Sequence, residues 1–371
     1  MAVFESVNKF TGARADNFLP KLEYIYKSPA SILGEVANTP RVTLDKLARE
    51  KIVLPEVNIN YVEGATIVGD RLVVSGEEAL NASFLNKRVA HEAAVKRAKD
   101  QTVDIDDKYL RKEFPVEEVG EALWLCGQYG SYQHWFTETL PVIWAYKANN
   151  IDLGAVKVIV GNDIKNYQQA ILLQLGIAEE NIIKKNKLCN LRVKSLAVSD
   201  NLSLNSFWVR PEIKDAYKFI FSSYIEQPSV KKFSEKIVLG RKQLGNVRQV
   251  FNFDLLERRL LDRGYEVVYP EDMSFGDKVN CFRSAREIVS LSGGGLCNLI
   301  FCEPGAKVMA ISPDSFPINT FRDFSDIYDL NITYCLARSF LRYDDINLNA
   351  NSFLTNELVN DIALGRWQKN D

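Results

Sequence analysis

The chain has 371 residues, 46% of them hydrophobic and 25% charged, with a formal net charge of −2. That length exceeds what one hydrophobic core usually holds, so two domains are expected. The balanced charge excludes a partner held by a broad basic patch, nucleic acid above all, and short clusters such as Lys184-Lys185 and Lys231-Lys232 read as solvated surface.

No stretch approaches the roughly eighteen apolar residues that a membrane-spanning helix needs. The N-terminus, MAVFESVNKFTGARADNF, lacks a basic start followed by an apolar block, so no secretory signal is expected. Six cysteines (Cys126, Cys189, Cys281, Cys297, Cys302, Cys335) show no C-x-x-C spacing, and two histidines are few for a zinc site. Reduced, mostly buried thiols in a cytosolic protein are the expectation. On that basis the N-x-S/T triplets at Asn81, Asn201 and Asn331 read as chance.

From the N-terminus, residues 1–110 form a β-rich lead-in. Ile52 to Asn60, Ala65 to Val68 and Leu72 to Val74 are β-branched runs, with Glu63-Gly64, Gly69-Asp70 and Gly76 as the turns of a meander. A helical piece is expected at Ala90 to Asp100. From Ala122 strands and helices alternate. A strand at Ala122 to Cys126 leads into a helix over Ser131 to Asn149, which Pro141 should kink or divide. Val156 to Val160 is a strand, and Tyr167 to Leu175 a helix closed by Gly176.

The polar stretch Gln227 to Glu235 is the linker candidate, and the alternation then resumes. Ile237 to Leu239, Tyr265 to Tyr269, Ile288 to Leu291 and Val308 to Ile311 read as strands. Asn252 to Arg263, Ser274 to Ser284 and Leu296 to Phe301 read as helices. An amphipathic helix at Thr355 to Leu364 folds back across the first domain. This gives an α/β protein with parallel sheets: a lead-in (1–110), an α/β domain (111–230), a Rossmann-like domain (231–340) and a C-terminal helix segment (341–371).

Strand, glycines, helix, strand over Arg286 to Ser312 is a layout that brings bare backbone N–H groups to a phosphate. Its centre is Ser292, Gly293, Gly294, Gly295; a tight turn is the competing reading. Open α/β sheets bind ligands beyond the carboxyl ends of their strands. Those ends carry Arg241, Pro270-Glu271 and Ser292-Gly293, and a strand-end guanidinium such as Arg241, with Arg248 behind it, suits a phosphate.

His134 and Glu138 stand four apart on a predicted helix, where an imidazole beside a carboxylate can serve as general base or simply pack. His91, among Glu92, Lys96 and Arg97, has a weaker claim. Asp104-Ile105-Asp106-Asp107 matches the D-x-D pattern of metal-dependent sugar transferases, but no apolar strand precedes it. It reads as a solvated loop or helix start, and no metal site is expected.

The blocks together resemble glycosyltransferase family 61. That family shows an aromatic-His-Trp helix, an acidic residue and Leu-Pro, similar to Tyr132-Gln133-His134-Trp135-Phe136-Thr137-Glu138-Thr139-Leu140-Pro141. It then shows a strand-end arginine, a second arginine and an asparagine, matched by Arg241, Arg248 and Asn252. A Gly-aromatic strand leading to Pro-Glu and Ser-Phe is matched by Gly264-Tyr265, Pro270-Glu271 and Ser274-Phe275. Its glycine block, ending in Asn and followed by Phe and Pro-Gly, is matched by Ser292 to Asn298, Phe301 and Pro304-Gly305.

The resemblance spans about residues 120 to 315. It implies a GT-B fold, two Rossmann-like domains facing a cleft, and inverting transfer with neither cofactor nor obligatory metal. His134 would take the proton of an acceptor hydroxyl, with Glu138 orienting it or itself acting as base. The nucleotide-sugar donor would lie on Arg241, Arg248, Asn252, Glu271, Ser274, Phe275, Lys278, Ser292, Gly293, Gly294, Gly295 and Asn298. The acceptor would be a glycan or lipid-linked glycan of a bacterial capsule or other surface polysaccharide. A lipid-linked acceptor would draw a cytoplasmic enzyme peripherally to the inner face of the membrane.

The sequence departs from the pattern at Ser292, where the family has histidine, at Lys278, where it has glutamine, and at Phe253, where an acidic residue is common. Those departures leave open a non-catalytic glycan- or nucleotide-binding subunit. A nicotinamide-dependent oxidoreductase, with Asp314 meeting a ribose, is the other alternative. Asn298 in the place of the third glycine of G-x-G-x-x-G counts against it.

Overall fold

The computed structural model describes residues 2–4, 13–27, 30–34, 39–68, 72–75, 78–81, 114–125, 131–186, 188–204, 208–226, 231–240, 249–315, 320–340 and 351–368. These fall into two compact units. The first comprises Met1–Leu22, Val53–Asn205 and Asp215–Ile220, and the second Glu23–Ile52, Ser206–Lys214 and Phe221–Asp371. The expected linker lies within the second unit, with 227–230 outside the described residues.

The first unit is built on a mixed sheet. Its strands are β1 (Ala2–Phe4), β2 (Ala13–Leu19), β3 (Val57–Val68), β4 (Leu72–Ser75), β5 (Glu78–Asn81), β6 (Val116–Trp124), β7 (Lys157–Gly161), β8 (Ile182–Lys185) and β9 (Asn190–Ser199). They run in the order β1-β5-β4-β3-β9-β6-β7-β8, with β2 paired to β3. The expected alternation holds from β6 onward, where β9, β6, β7 and β8 are parallel.

The lead-in does not form a meander with a turn at Glu63-Gly64. Strand β3 runs straight through both residues, and Gly64 takes a left-handed φ of 62° without breaking the pairing to β9. Across these residues the strand is carried by β9, with Ser195 opposite Glu63 and Val193 opposite Ala65. The early strands also share the sheet of β6 to β9, while residues 23–52 belong to the second unit. Ala90 to Asp100, His91 and Asp104 to Asp107 lie outside the described residues.

Alternation along these strands puts Val62, Leu196, Val198, Ala122, Trp124 and Ile159 on one apolar face. Helix α1 (Val142–Ala148) is tied to the strands as well. Its Tyr146 hydroxyl lies 2.9 Å from the Trp124 carbonyl and 3.1 Å from that of Ala197, and accepts from the Ser199 N–H. Helix α2 (Asn166–Gln174) ends as expected at Gly176, whose φ of 86° suits a left-handed cap.

The second unit carries a parallel sheet: β10 (Lys236–Leu239), β11 (Glu266–Val268), β12 (Glu287–Leu291), β13 (Lys307–Pro313) and β14 (Asn331–Ser339). The order is β11-β10-β12-β13-β14. Strand β15 (Ser352–Phe353) is antiparallel to β14, and Ser31–Leu33 also pairs with β14. The order reverses between β10 and β12, the kind of point at which open α/β sheets bind ligands.

Helices α3 (Phe253–Leu261), α4 (Phe275–Ser284), α5 (Thr320–Ile327) and α6 (Asn356–Ala363) cover this sheet. The core joins Val238, Val289, Met309 and Cys335 of the strands to Leu256 of α3 and Val359 of α6. The C-terminal helix therefore packs within the second unit. Helix α6 presents Leu358, Val359 and Ile362 to the same apolar sheet face as α3.

The five described cysteines are buried and free. Burial pushes the thiols of Cys281 and Cys335 up to about 12, which leaves them packing groups rather than nucleophiles. Among the described residues, no helix is long and apolar enough to cross a membrane.

Candidate active site

In the first unit the site begins with a break in helical geometry. Ser131 caps a short turn, Tyr132–His134, its hydroxyl accepting from the His134 N–H. The next five residues, Trp135–Thr139, form a π-helical turn, with the Leu140 N–H reaching back to the Trp135 carbonyl at 2.8 Å. Pro141 has no N–H to offer, so it divides the expected helix, and α1 begins after it.

The freed carbonyls are satisfied from elsewhere. Tyr217 donates its hydroxyl to the Phe136 carbonyl at 2.8 Å, and Ser203 donates to the Thr137 carbonyl. Tyr132, Phe136 and Tyr217 stack in series at 5.3 and 5.2 Å, and Trp135 meets Tyr167 edge-on at 5.8 Å. Trp135 and Phe136 are fully buried. The π turn is thus clamped in rings on one side and in hydrogen bonds on the other.

That clamp brings the two predicted residues together. His134 Nδ1 lies 2.9 Å from Glu138 Oε2, with the carboxylate side chain 3% exposed and the imidazole 28% exposed. A buried carboxylate on Nδ1 fixes the ring's orientation and leaves Nε2 as the nitrogen that can receive a proton. The buried member positions and the exposed one can react.

In the second unit, the glycine block follows β12. Ser292 donates its N–H to the Ile311 carbonyl at 2.7 Å, and its hydroxyl is hydrogen-bonded by Ser312 at the end of β13. Gly293 is extended, with a φ of 176°, and a 3₁₀ helix runs from Gly294 to Phe301 where a helix was expected from Leu296. Asn298, fully buried, donates its amide to the Gly295 carbonyl at 2.9 Å and so pins the turn.

None of the three glycines has the left-handed φ that a glycine-demanding turn would require. A Cβ on Gly293 would meet nothing closer than 4.0 Å, and one on Gly295 only Leu239 at 3.5 Å. The fold does not need Gly293 or Gly295 for space. Their effect is to leave the backbone beyond β12 bare.

Gly240, at the end of β10, is different. A Cβ there would stand 2.5 Å from the ring of Tyr269, which lies against the glycine. Arg241 and Arg248, the predicted phosphate ligands, lie outside the described residues. Asn252 precedes α3 and spends its side chain on Leu354, accepting from its N–H at 2.9 Å and donating to its carbonyl at 2.8 Å.

The remaining predicted donor residues surround the start of α4. Ser274 caps the helix, its hydroxyl accepting from the Asp277 N–H at 3.1 Å. Phe275 packs on Phe221 at 4.9 Å, Tyr224 at 4.8 Å and Phe301 at 5.9 Å. Glu271 is exposed on a 3₁₀ turn, Pro270–Asp272. Lys278 is half-buried; burial lowers its amine below the usual lysine range, and Glu271 partly offsets this. Sequence reasoning missed Ser203, Tyr217 and Ser312, because single hydroxyls distant in the chain leave no motif.

Residues 132–309 match the family model Glycosyltransferase 61. Over that segment the chain is similar to glycosyltransferase family 61. The match opens at Tyr132, the first residue of the turn that holds His134, and closes inside β13, so it takes in both the imidazole–carboxylate pair and the glycine block. It covers just under half of the chain. The protein is therefore a glycosyltransferase, and enzymes of this kind in general move a sugar from a nucleotide-sugar donor to a glycan acceptor. No curated protein matches the chain.

Proposed function

We propose that this glycosyltransferase is an inverting, metal-independent enzyme of the GT-B type acting in bacterial surface polysaccharide synthesis. The observation that carries the reading is the 2.9 Å contact between His134 and the buried Glu138 within the matched segment. In an inverting transfer the acceptor hydroxyl attacks the anomeric carbon in a single displacement. The proton leaves that hydroxyl as the new C–O bond forms, and the bond to the nucleotide diphosphate breaks. His134 Nε2 would receive the proton, and Glu138 would stabilise the resulting imidazolium.

The second unit would hold the donor. Bare N–H groups at Gly293 to Gly295 and the Lys278 amine, together with Arg241 and Arg248, would carry the charge that develops on the leaving diphosphate. Glu271 would accept from donor hydroxyls, and Ser292, Ser274 and Asn298 would shape the turn around it. No step in this scheme calls for a cofactor or a metal ion. A lipid-linked acceptor would place the enzyme at the inner face of the membrane.

The test is transfer activity in His134→Ala and Glu138→Gln, measured beside donor binding. Loss of turnover with donor binding retained supports the assignment. Full activity in both variants overturns it.

A further inference from the structure

As the chain leaves β9, the segment Ser199–Ser203 meets the catalytic turn and the helix behind it. Tyr146 of α1 is fully buried. Its hydroxyl hydrogen is shared between the Trp124 carbonyl at 2.9 Å and the Ala197 carbonyl at 3.1 Å, and its oxygen takes the Ser199 N–H at 3.0 Å. Ser203, also fully buried, donates to the carbonyl of Thr137, the residue before Glu138.

This segment is itself tied to the sheet. The Asp200 N–H donates to the Asn58 carbonyl at 2.9 Å. The buried Asp200 carboxylate accepts from the Asn58 N–H at 3.0 Å and from its side-chain amide at 3.1 Å. Asn58 in turn accepts from the Asn17 amide at 3.1 Å. Strands β2, β3 and β9 thus hold one end of a polar path whose other end is the turn that carries Glu138.

Hydrophobic burial is non-directional, so packing alone leaves a helix free to slide and rotate on a sheet. Hydrogen bonds weaken steeply away from their preferred line and therefore set position as well as contact. The Tyr146 hydroxyl fixes α1 against the carboxyl ends of β6 and β9, and the Ser203 hydroxyl fixes the π turn against the exit of β9. Placement matters to the chemistry, because a misplacement of about 1 Å that originates far from the reacting atoms can cost about 10²-fold in rate.

We propose that Ser203 and Tyr146 are positioning residues for the sugar transfer, setting the His134–Glu138 pair on the ends of β6 and β9 with Asp200 and Asn58 as their anchor. This deepens the sugar-transfer reading and rests on it. Both hydroxyls act through the turn.

The test is NMR of the full chain, isotope-labelled at its histidine nitrogens. The chain has two histidines, so the His134 signals are those missing in His134→Ala. Ser203→Ala and Tyr146→Phe each remove one oxygen. Both should move the His134 imidazole signals toward their place in Glu138→Gln and leave those of His91 unmoved. Ile67→Ala, in the apolar face at the far end of β3, should lower the melting temperature at least as far without moving the His134 signals. In the transfer assay, Ser203→Ala and Tyr146→Phe should each lower kcat about 10- to 100-fold with the donor KM unchanged.

The two variants alter different elements, so the outcome does not depend on either one folding. His134 signals unmoved in both, or moved equally by Ile67→Ala, overturn the proposal. So does a kinetic loss confined to KM. If the imidazole signals move as expected while the parent transfers no sugar, the sugar-transfer reading is the one that fails.

Discussion

At the scale of single residues, the chemistry depends on pairs whose members have unequal exposure. Glu138 is buried and His134 partly open, which is the arrangement of a group that orients and a group that reacts. General acid–base catalysis contributes about 10²- to 10⁴-fold, so His134→Ala and Glu138→Gln should each lower turnover by that order with melting temperature nearly unchanged. Steady-state kinetics beside a thermal melt would check this. The glycine block allows a sharper separation. Gly293 is extended and faces open space, so Gly293→Ala should leave stability within about 0.5 kcal/mol while weakening nucleoside diphosphate binding. Gly240→Ala should do the reverse. Its Cβ would collide with the Tyr269 ring at 2.5 Å and cost about 1–3 kcal/mol, recovered in part by a second change of Tyr269 to Ala. Denaturant titration of the single and double variants would measure the coupling.

At the scale of elements, the π turn at Trp135–Thr139 is held by groups outside it. Tyr217 satisfies the Phe136 carbonyl. Tyr217→Phe would remove that buried hydrogen bond, and should cost about 1 kcal/mol and lower activity as well, since Glu138 rides on the same turn. A melt and an activity assay on the one variant would show whether the two losses travel together. In the second unit, α5 holds residues 23–52 through buried polar contacts. Tyr26 donates to Asp323 at 2.8 Å and Tyr24 to Asp326 at 2.6 Å. The Arg322 guanidinium lies 3.9 Å from the centre of the Tyr26 ring and donates to the Lys46 and Arg49 carbonyls. Burial pushes the Asp323 carboxyl up to about 7, against the pull of the Tyr26 hydrogen bond, Arg322 and Arg49. The folded chain then keeps a proton that the unfolded chain has already lost. The stability contributed by Asp323 is therefore full below about pH 4 and lost as pH rises through about 7. Asp323→Asn should flatten that dependence, and melting temperatures of both proteins between about pH 5 and about pH 8 would reveal it.

At the scale of the whole molecule, a nucleoside diphosphate that binds only the folded chain must raise its melting temperature. The gain is about 2.7 kcal/mol at a hundredfold excess over Kd. The shift should survive EDTA. A shift abolished by EDTA would sink the metal-independent reading. What the sequence determined by itself was local. The strands Lys236–Leu239, Glu266–Val268 and Glu287–Leu291, the cap at Ser274, the stop at Gly176 and the division of a helix at Pro141 all follow from apolar runs, turn residues and a missing N–H. The His134–Glu138 pair was legible for the same reason, since four residues separate its members. Only the tertiary structure decided that Glu63-Gly64 lies inside a strand, because that outcome depends on pairing to β9, far along the chain. It likewise decided that α6 packs with α3 and that Asn252 serves Leu354. Hydrogen bonds and core contacts between residues a hundred apart carry no period or spacing in the sequence. They exist only once the sheets have brought those strand ends side by side.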